Sequence, residues 1–270
     1  MRKSLLALSL LAATSAPVMA ADYSDGDIHK NDYKWMQFNL MGAFDELPGE
    51  SSHDYLEMEF GGRSGIFDLY GYVDVFNLAT DKGSDKGSDK AGAPKIFMKF
   101  APRMSLDGLT GKDLSFGPVQ ELYVATLFEW DGTDYKTNPF SVNNQKVGLG
   151  SDVMVPWLGK IGLNLYGTYQ GNNKDWNGFQ ISTNWFKPFY FFENGSFISY
   201  QGYIDYQFGM KDEYSTASSG GAMFNGIYWH SDRFAVGYGL KGYKDVYGIK
   251  DTDGFKSTGF GHYIAVTYKF

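Results

Sequence analysis

The chain of 270 residues contains no cysteine. Disulfide bridges, thiolate nucleophiles and cysteine-based zinc sites are therefore excluded. Histidine is also scarce: the four present, His29, His53, His230 and His262, are scattered without the spacing of metal ligands. The sequence accordingly predicts no metal site and no cofactor.

Long apolar runs are absent after residue 20, so no segment can form a transmembrane helix of about 18 or more residues. The exception at the start, Met1–Ala20, has a basic beginning, a short apolar middle at Leu5–Ala13 and small residues at its end. This pattern predicts a cleaved signal peptide, with residues 21–270 forming the exported domain. A buried N-terminal helix is the alternative, but it would need a polar face that this run lacks.

Basic charge is in deficit, with 24 Lys and Arg against 31 Asp and Glu, which gives a formal net charge of −7. An acidic balance argues against nucleic acid as a partner. Aromatic residues, at 18 %, and glycine, at 34 residues, are both abundant for a globular chain. The mean hydropathy of −0.33 does not exclude a membrane protein, because spanning strands alternate between apolar and polar residues.

The final stretch, Gly259–Phe270, shows this alternation most clearly. One parity is apolar or aromatic (Phe260, His262, Ile264, Val266, Tyr268, Phe270), and the other is small or mixed (Gly261, Tyr263, Ala265, Thr267, Lys269). Such a segment suits a tilted strand that crosses a bilayer with rings at both interfaces. A lone strand cannot cross lipid with its backbone groups unpaired, so the pattern implies a closed barrel. The last strand of a soluble sheet is the alternative.

Similar segments recur along the chain, and the sequence predicts an all-β fold: a transmembrane, antiparallel, up-and-down β-barrel of about twelve strands in the bacterial outer membrane. The predicted strands cover residues 34–44, 55–60, 66–76, 96–103, 119–130, 147–153, 160–170, 176–186, 196–209, 222–230, 234–243 and 259–270. We expect a short periplasmic tail at 21–33, a polar loop at 45–54, a tight turn at 61–65 and a long flexible loop at 77–94 containing the near-repeat Lys82–Lys90.

Five blocks of the sequence carry a resemblance: Asp54–Glu59, Phe67–Asp74, Pro102–Asp107, Asp113–Pro118 and Gly148–Asp152. They are similar to blocks of the Tsx family of nucleoside-specific outer-membrane channels. Length and the Lys-Gly-Ser-Asp loop are closer to the OmpK branch of that family. The resemblance covers most of the mature chain and weakens between residues 179 and 256. It implies a monomeric twelve-stranded barrel in outer-membrane lipid, a narrow pore for nucleosides and surface loops that bacteriophages use as receptors.

Strand parity predicts which side chains line the barrel interior. The candidates combine tyrosines, acids and two cations: Tyr55, Glu57, Glu59, Asp68, Tyr70, Tyr72, Asp74, Lys99, Arg103, Glu121, Tyr123 and Asp152. Ring faces can stack on a base, and carboxylates can accept hydrogen bonds from ribose hydroxyls. We expect Lys99 and Arg103 to neutralise part of the acid set. For any single residue the alternative is structural, since small barrels fill their interior with paired polar side chains.

Two other functional classes remain open at this point. A non-conducting barrel could serve mainly as a surface receptor or structural protein. An outer-membrane enzyme would need a Ser/His pair at the lipid rim, and His262 has no candidate nucleophile beside it along its strand. The sequence therefore favours a passive channel over an enzyme.

Overall fold

A computed structural model describes residues 21–78, 95–136 and 141–270. The strands in these residues are β1 (Tyr33–Glu46), β2 (Ser51–Ser64), β3 (Phe67–Phe76), β4 (Ile96–Phe100), β5 (Arg103–Ser105), β6 (Val119–Trp130), β7 (Asn143–Val155), β8 (Gly159–Gln170), β9 (Asp175–Phe191), β10 (Phe197–Phe208), β11 (Ser219–His230), β12 (Phe234–Lys244) and β13 (Gly259–Lys269). A short helix, α1 (Leu106–Thr110), follows β5, and a 3-10 helix (Val246–Gly248) follows β12. The predicted signal peptide and the Lys82–Lys90 tract lie outside the described residues. None of the helices in the described part is long and apolar enough to cross a membrane.

The sheet closes on itself. Each strand pairs antiparallel with its neighbours, and β1 pairs with β13 from Gln37 opposite Lys269 to Phe44 opposite His262. Because β4 and β5 both lie between β3 and β6, the thirteen strands form twelve staves of one ring. The predicted twelve-stave, antiparallel, up-and-down barrel is confirmed.

The fourth stave is broken, where the sequence predicts one continuous strand. The ladder stops between β4 and β5 at Ala101 and Pro102, and proline has no N–H group to donate to a neighbouring strand. The carbonyl of Pro102 still accepts hydrogen bonds from both the backbone and the hydroxyl of Thr126. The wall thus stays closed at the break.

Several strands extend beyond the bounds that alternation predicts. Residues 45–54 are mostly strand, with only Leu47–Glu50 left as the connection, and β2 runs on to Ser64, so the predicted turn at 61–65 shrinks to residues 65–66. Apolar alternation marks the part of a strand that lies in lipid. The hydrogen-bonded ladder continues past that part into water, where polar residues such as those at 51–54 carry it.

The outer and inner faces of the wall follow the predicted parity. On β13, Ile264 and Val266 are more than half exposed, whereas Tyr263 and Ala265 are 3 % exposed. Large exposed rings also stand near the strand ends, at Trp130, Trp176 and Phe260 on one rim and at Trp157, Phe234 and Phe270 on the other. Two rims of aromatic side chains around an apolar band are typical of barrels in outer membranes.

The two ends of the barrel differ. Strands β3, β6, β10 and β12 all finish at one end of the barrel, here called the long-loop end; β1 starts and β13 finishes at the other, the termini end. Most of the segment 21–33, expected to be a tail, is exposed, but one of its residues packs into the termini end. Tyr23 is buried there and accepts a hydrogen bond from Arg63 Nη1 at 2.9 Å. Helix α1, N-capped by Ser105, packs beside it and covers part of the same end.

Candidate functional site: the barrel lumen

The structure places the predicted lining residues on the inner parity of β2 to β7. They are Tyr55, Glu57 and Glu59 on β2, Asp68, Tyr70, Tyr72 and Asp74 on β3, Lys99 on β4, Arg103 on β5, Glu121 and Tyr123 on β6, and Asp152 on β7. Their surroundings divide them into two groups. One group belongs to a dense network of ion pairs, and the other lies among tyrosines with few cations.

The first group forms what we call the filled side, which is built on the staves β5 to β9 and which Arg63 of β2 and Asp68 of β3 join. Here Arg63 donates two parallel hydrogen bonds to Glu121, both of 2.9 Å, and a third to Tyr123 Oη at 2.6 Å. Two-pronged guanidinium–carboxylate pairs are among the strongest charge-assisted hydrogen bonds. Glu121 and Tyr123 are almost completely buried. Their placement is that of structural side chains.

Arg103 joins the same network from β5. It donates to Asp68 at 2.7 Å and to Asp152 at 2.9 Å, and Asp152 also pairs with Lys160 at 3.1 Å. The expectation that Arg103 neutralises part of the acid set is thus confirmed for Asp68 and Asp152. With both carboxylates compensated, little net charge remains on this wall.

Lys146 continues the filled side towards the long-loop end. This lysine is 1 % exposed, and its Nζ lies 2.7 Å from Glu129 and 2.6 Å from Gln180 Oε1. A buried ammonium is stable only when its hydrogen bonds are satisfied, and here the strands β6 and β9 supply its partners. Leu127 and Tyr166 pack beside the network, so this half of the lumen is filled with side chains.

The second group faces what we call the tyrosine side, the staves β10 to β13 and β1 to β3. Amide groups of β1 hold two carboxylates there: Gln37 donates to Glu59 at 2.6 Å, and Asn39 donates to Glu57 at 2.6 Å. Tyr70 also donates to Glu59, at 2.8 Å. Uncharged amide and hydroxyl groups therefore hold the carboxylates of Glu57 and Glu59 in place and do not balance their negative charge.

Asp74 completes the acidic part of the tyrosine side. It lies directly opposite Glu57 in the β2–β3 register, and its Oδ1 is buried without a hydrogen-bond partner. Within the described ranges, no lysine, arginine or histidine nitrogen lies within 4.0 Å of Glu57, Glu59 or Asp74. Lys99 does not neutralise these acids, because its partner is Asp205 on β10.

Aromatic rings line the rest of the tyrosine side. Tyr70 and Tyr72 pack edge to face at 6.2 Å, and across the lumen Tyr203 stacks on Phe224 with ring centres 5.8 Å apart. Phe224 lies flat against the wall over Gly239 of β12, where an added Cβ would sit 2.2 Å from the ring. Glycine at this position therefore keeps a ring face turned into the lumen.

Sequence reasoning missed several lumen residues. They are Arg63, Lys146, Lys241, Gln180, Tyr203 and Asp205. Parity within β2 places Arg63 on the same face as Glu57 and Glu59, so that residue was open to prediction. Tyr203 and Asp205 lie on β10, where aromatic residues stand on both faces and alternation gives little contrast.

A Ser/His contact does exist, but it lies inside the barrel and not at the lipid rim. His230 Nε2 is 2.8 Å from Ser199 Oγ, while His230 Nδ1 is buried without a partner. A nucleophilic serine needs a base that a third group orients, and that group is missing here. His262, on the outer face, hydrogen-bonds Tyr238 at 2.6 Å. Among the described residues, no group of three or more acids and histidines could hold a metal ion.

A closed antiparallel barrel with an apolar outer band, aromatic rims and a charged, tyrosine-lined interior is an integral outer-membrane barrel of the channel type. Comparison of the sequence with known protein families agrees with this class of protein. The family model for the nucleoside-specific channel-forming protein Tsx matches residues 30–270, and the chain belongs to this family.

Two similar proteins are named as an outer-membrane protein and a channel-forming protein. Outer membrane protein OmpK of Vibrio parahaemolyticus serotype O3:K6 is 92 % identical over 270 residues, with all of both chains covered. The nucleoside-specific channel-forming protein Tsx of Salmonella typhimurium is 32 % identical, again with all of both chains covered. A solved KdgM porin aligns with 87 % of this chain and 99 % of its own, at 10 % identity and a TM-score of 0.47.

Proposed function

We propose that the protein lets nucleosides diffuse passively across the outer membrane along the tyrosine side of its lumen. The observation that carries the proposal is the pairing of ring faces with uncompensated acceptors. Tyr70 and Tyr72 on one wall face Tyr203 and Phe224 on the other, with Glu57 and Glu59 close by. Membership of the nucleoside-specific channel family supports the same solute class.

The chemistry of a nucleoside matches this surface. Stacking of a base on an aromatic ring contributes about 1 to 3 kcal/mol, and carboxylates accept hydrogen bonds from ribose hydroxyls and base N–H groups. A channel must bind its solute weakly enough to release it. Nucleotides are disfavoured, because their phosphates meet carboxylates in a confined space where charges are poorly screened.

The experiment is single-channel recording in planar bilayers with and without nucleosides. We expect adenosine to cause partial, reversible block, and the Tyr70→Ala/Tyr72→Ala variant to weaken it. Tyr238→Ala, which removes a tyrosine from the outer face, is the matched control and should leave the block unchanged. Unchanged block in the double variant would refute the assignment of these two rings. Equal uptake of adenosine and a sugar of similar size would refute the nucleoside preference itself.

Two further roles implied by the resemblance are part of the proposal. We propose that the protein acts as a monomer in outer-membrane lipid, since β1 and β13 close the ring within one chain. The long-loop end is proposed as the surface that a bacteriophage would bind. Deletion of the loop between β12 and β13, with channel conductance intact, should abolish phage adsorption to cells that express the variant. Unaltered adsorption would exclude that loop.

A further inference from the structure

We infer that an ion pair between Lys99 and Asp205 spans the lumen and sets the size limit of the channel by confining passage to the tyrosine side. Lys99 Nζ lies 2.8 Å from Asp205 Oδ2. The inference rests on the proposed transport function, but it concerns a residue pair and a barrier that the function alone does not specify.

The pair joins walls that are far apart around the ring. From β4 to β10, the shorter path passes through β6, β7, β8 and β9, and the longer path through β3, β2, β1, β13, β12 and β11. These staves are therefore nearly opposite each other. A direct contact between their side chains means that the contact crosses the interior and does not run along one wall.

The reach of Lys99 across the lumen has a local cause. Glu129 is directly opposite Lys99 in the β4–β6 register and would be the natural partner on a neighbouring strand. That carboxylate is already bound by Lys146, at 2.7 Å. An ammonium in a partly buried position needs a counter-charge, so Lys99 finds it on the far wall.

Asp205 is held in place from its own wall. Ser182 donates to Asp205 Oδ1 at 2.5 Å, and Gln180 donates to the same oxygen at 3.2 Å. Gln180 in turn accepts from Lys146 and from Gln207. The aspartate thus cannot swing to the wall without breaking a connected set of hydrogen bonds, and it presents Oδ2 to Lys99.

The position of the pair fixes its effect on a solute. Buried ion pairs occupy the filled side, so Lys99 and Asp205 stand at its border with the tyrosine side. Their removal would widen the passage along Tyr72 and Tyr203 by the space that the two side chains now occupy. We therefore assign this ion pair the role of limiting the size of the solutes that can pass. This role is distinct from that of the rings that stack on a base.

The test is single-channel conductance in KCl without nucleosides, with folding checked by heat-modifiable gel mobility. Lys99→Ala and Asp205→Asn should each raise conductance about twofold, because a charged constriction across the lumen is removed. The charge-swapped double variant Lys99→Glu/Asp205→Lys should return conductance to the wild-type level. In liposome swelling, the single variants should also admit a trisaccharide that the wild-type protein excludes.

The matched control is Lys160→Ala. It breaks an ion pair with Asp152 that joins neighbouring staves of one wall, so conductance should not change. Unchanged conductance in both single variants, or no recovery in the charge swap, would overturn the inference. If nucleosides block none of these proteins while KCl conductance rises as expected, the proposed transport of nucleosides is refuted. The inference about the Lys99–Asp205 ion pair is then still supported.

Discussion

The guanidinium carbon of Arg103 lies 4.0 Å from the centre of the Tyr123 ring, within cation–π distance. The same guanidinium bonds Asp68 and Asp152, so a single side chain ties β3, β6 and β7 to β5. The Nη1 atom of Arg103 is buried without a hydrogen-bond partner, which costs free energy that the bonds of Nη2 must offset. Arg103 is the centre of the filled side.

Arg103→Ala should lower the free energy of unfolding by about 3 kcal/mol, since Asp68 and Asp152 lose their nearest guanidinium and keep only Arg63, at 3.7 Å, and Lys160, at 3.1 Å. Urea unfolding in detergent micelles, followed by tryptophan fluorescence, would measure the change. Arg233→Ala is the control, because Arg233 is exposed and bonds only the Tyr268 hydroxyl in the described structure; a change within about 0.5 kcal/mol is expected there. Equal effects of the two substitutions would contradict the structural role of Arg103.

Gly239→Ala should both destabilise the barrel and narrow the passage. The added Cβ would meet Phe224 at 2.2 Å, so the ring must move off the wall and into the lumen. Overpacking of this kind costs about 1 to 3 kcal/mol. Conductance in KCl should fall in parallel. Gly242→Ala on the same strand faces lipid, where the nearest atom would be 3.4 Å away, and it should alter neither quantity.

Tyr203→Ala should weaken nucleoside block. This ring stacks on Phe224 and faces the wall that carries Tyr70 and Tyr72, so its loss removes one of the surfaces on which a base can stack. Loss of about 1 to 3 kcal/mol of stacking corresponds to a roughly thirtyfold weaker affinity near the middle of that range. The concentration of adenosine that gives half-maximal block measures the effect. A variant that keeps wild-type affinity would exclude Tyr203 from the solute path.

The loop between β12 and β13 should loosen in acid. Hydrogen bonds from the backbone N–H groups of Ser257 and Thr258, at 2.7 and 2.8 Å, lower the pKa of Asp251. A lowered pKa in the folded state means that the stabilisation is present above the ordinary aspartate pKa of about 4 and is lost as pH falls below it. The protection of the Ser257 and Thr258 amides, expressed as the intrinsic exchange rate at each pH divided by the observed rate, should thus fall on acidification.

Asp251→Asn is the companion experiment for this loop. This variant should show weak protection from amide exchange at Ser257 and Thr258 already at neutral pH, and the protection should change little in acid. Exchange that is equally slow in the variant and in the wild-type protein would show that Asp251 does not organise the loop.

The alternation of apolar and polar residues predicted the ring of strands and the side chains that face inward. It could do so because each strand meets lipid on one face and water on the other, whatever its neighbours are. It did not predict strand ends such as Glu46 and Ser51, since the backbone ladder continues where lipid stops. Nor did it predict which charges meet. That Lys99 faces inward follows from parity, but its contact with Asp205 depends on how closely opposite walls approach, which is a property of the whole ring.

The pairing of β1 with β13 has a consequence for biogenesis. Until the last strand arrives, the first one presents an open edge whose N–H and C=O groups lack partners, and such an edge invites pairing with other chains. Closure joins residues more than two hundred positions apart, the kind of contact that forms slowly. A chain that lacked its last strand would therefore leave the edge of β1 unpaired, as an unsealed and aggregation-prone sheet.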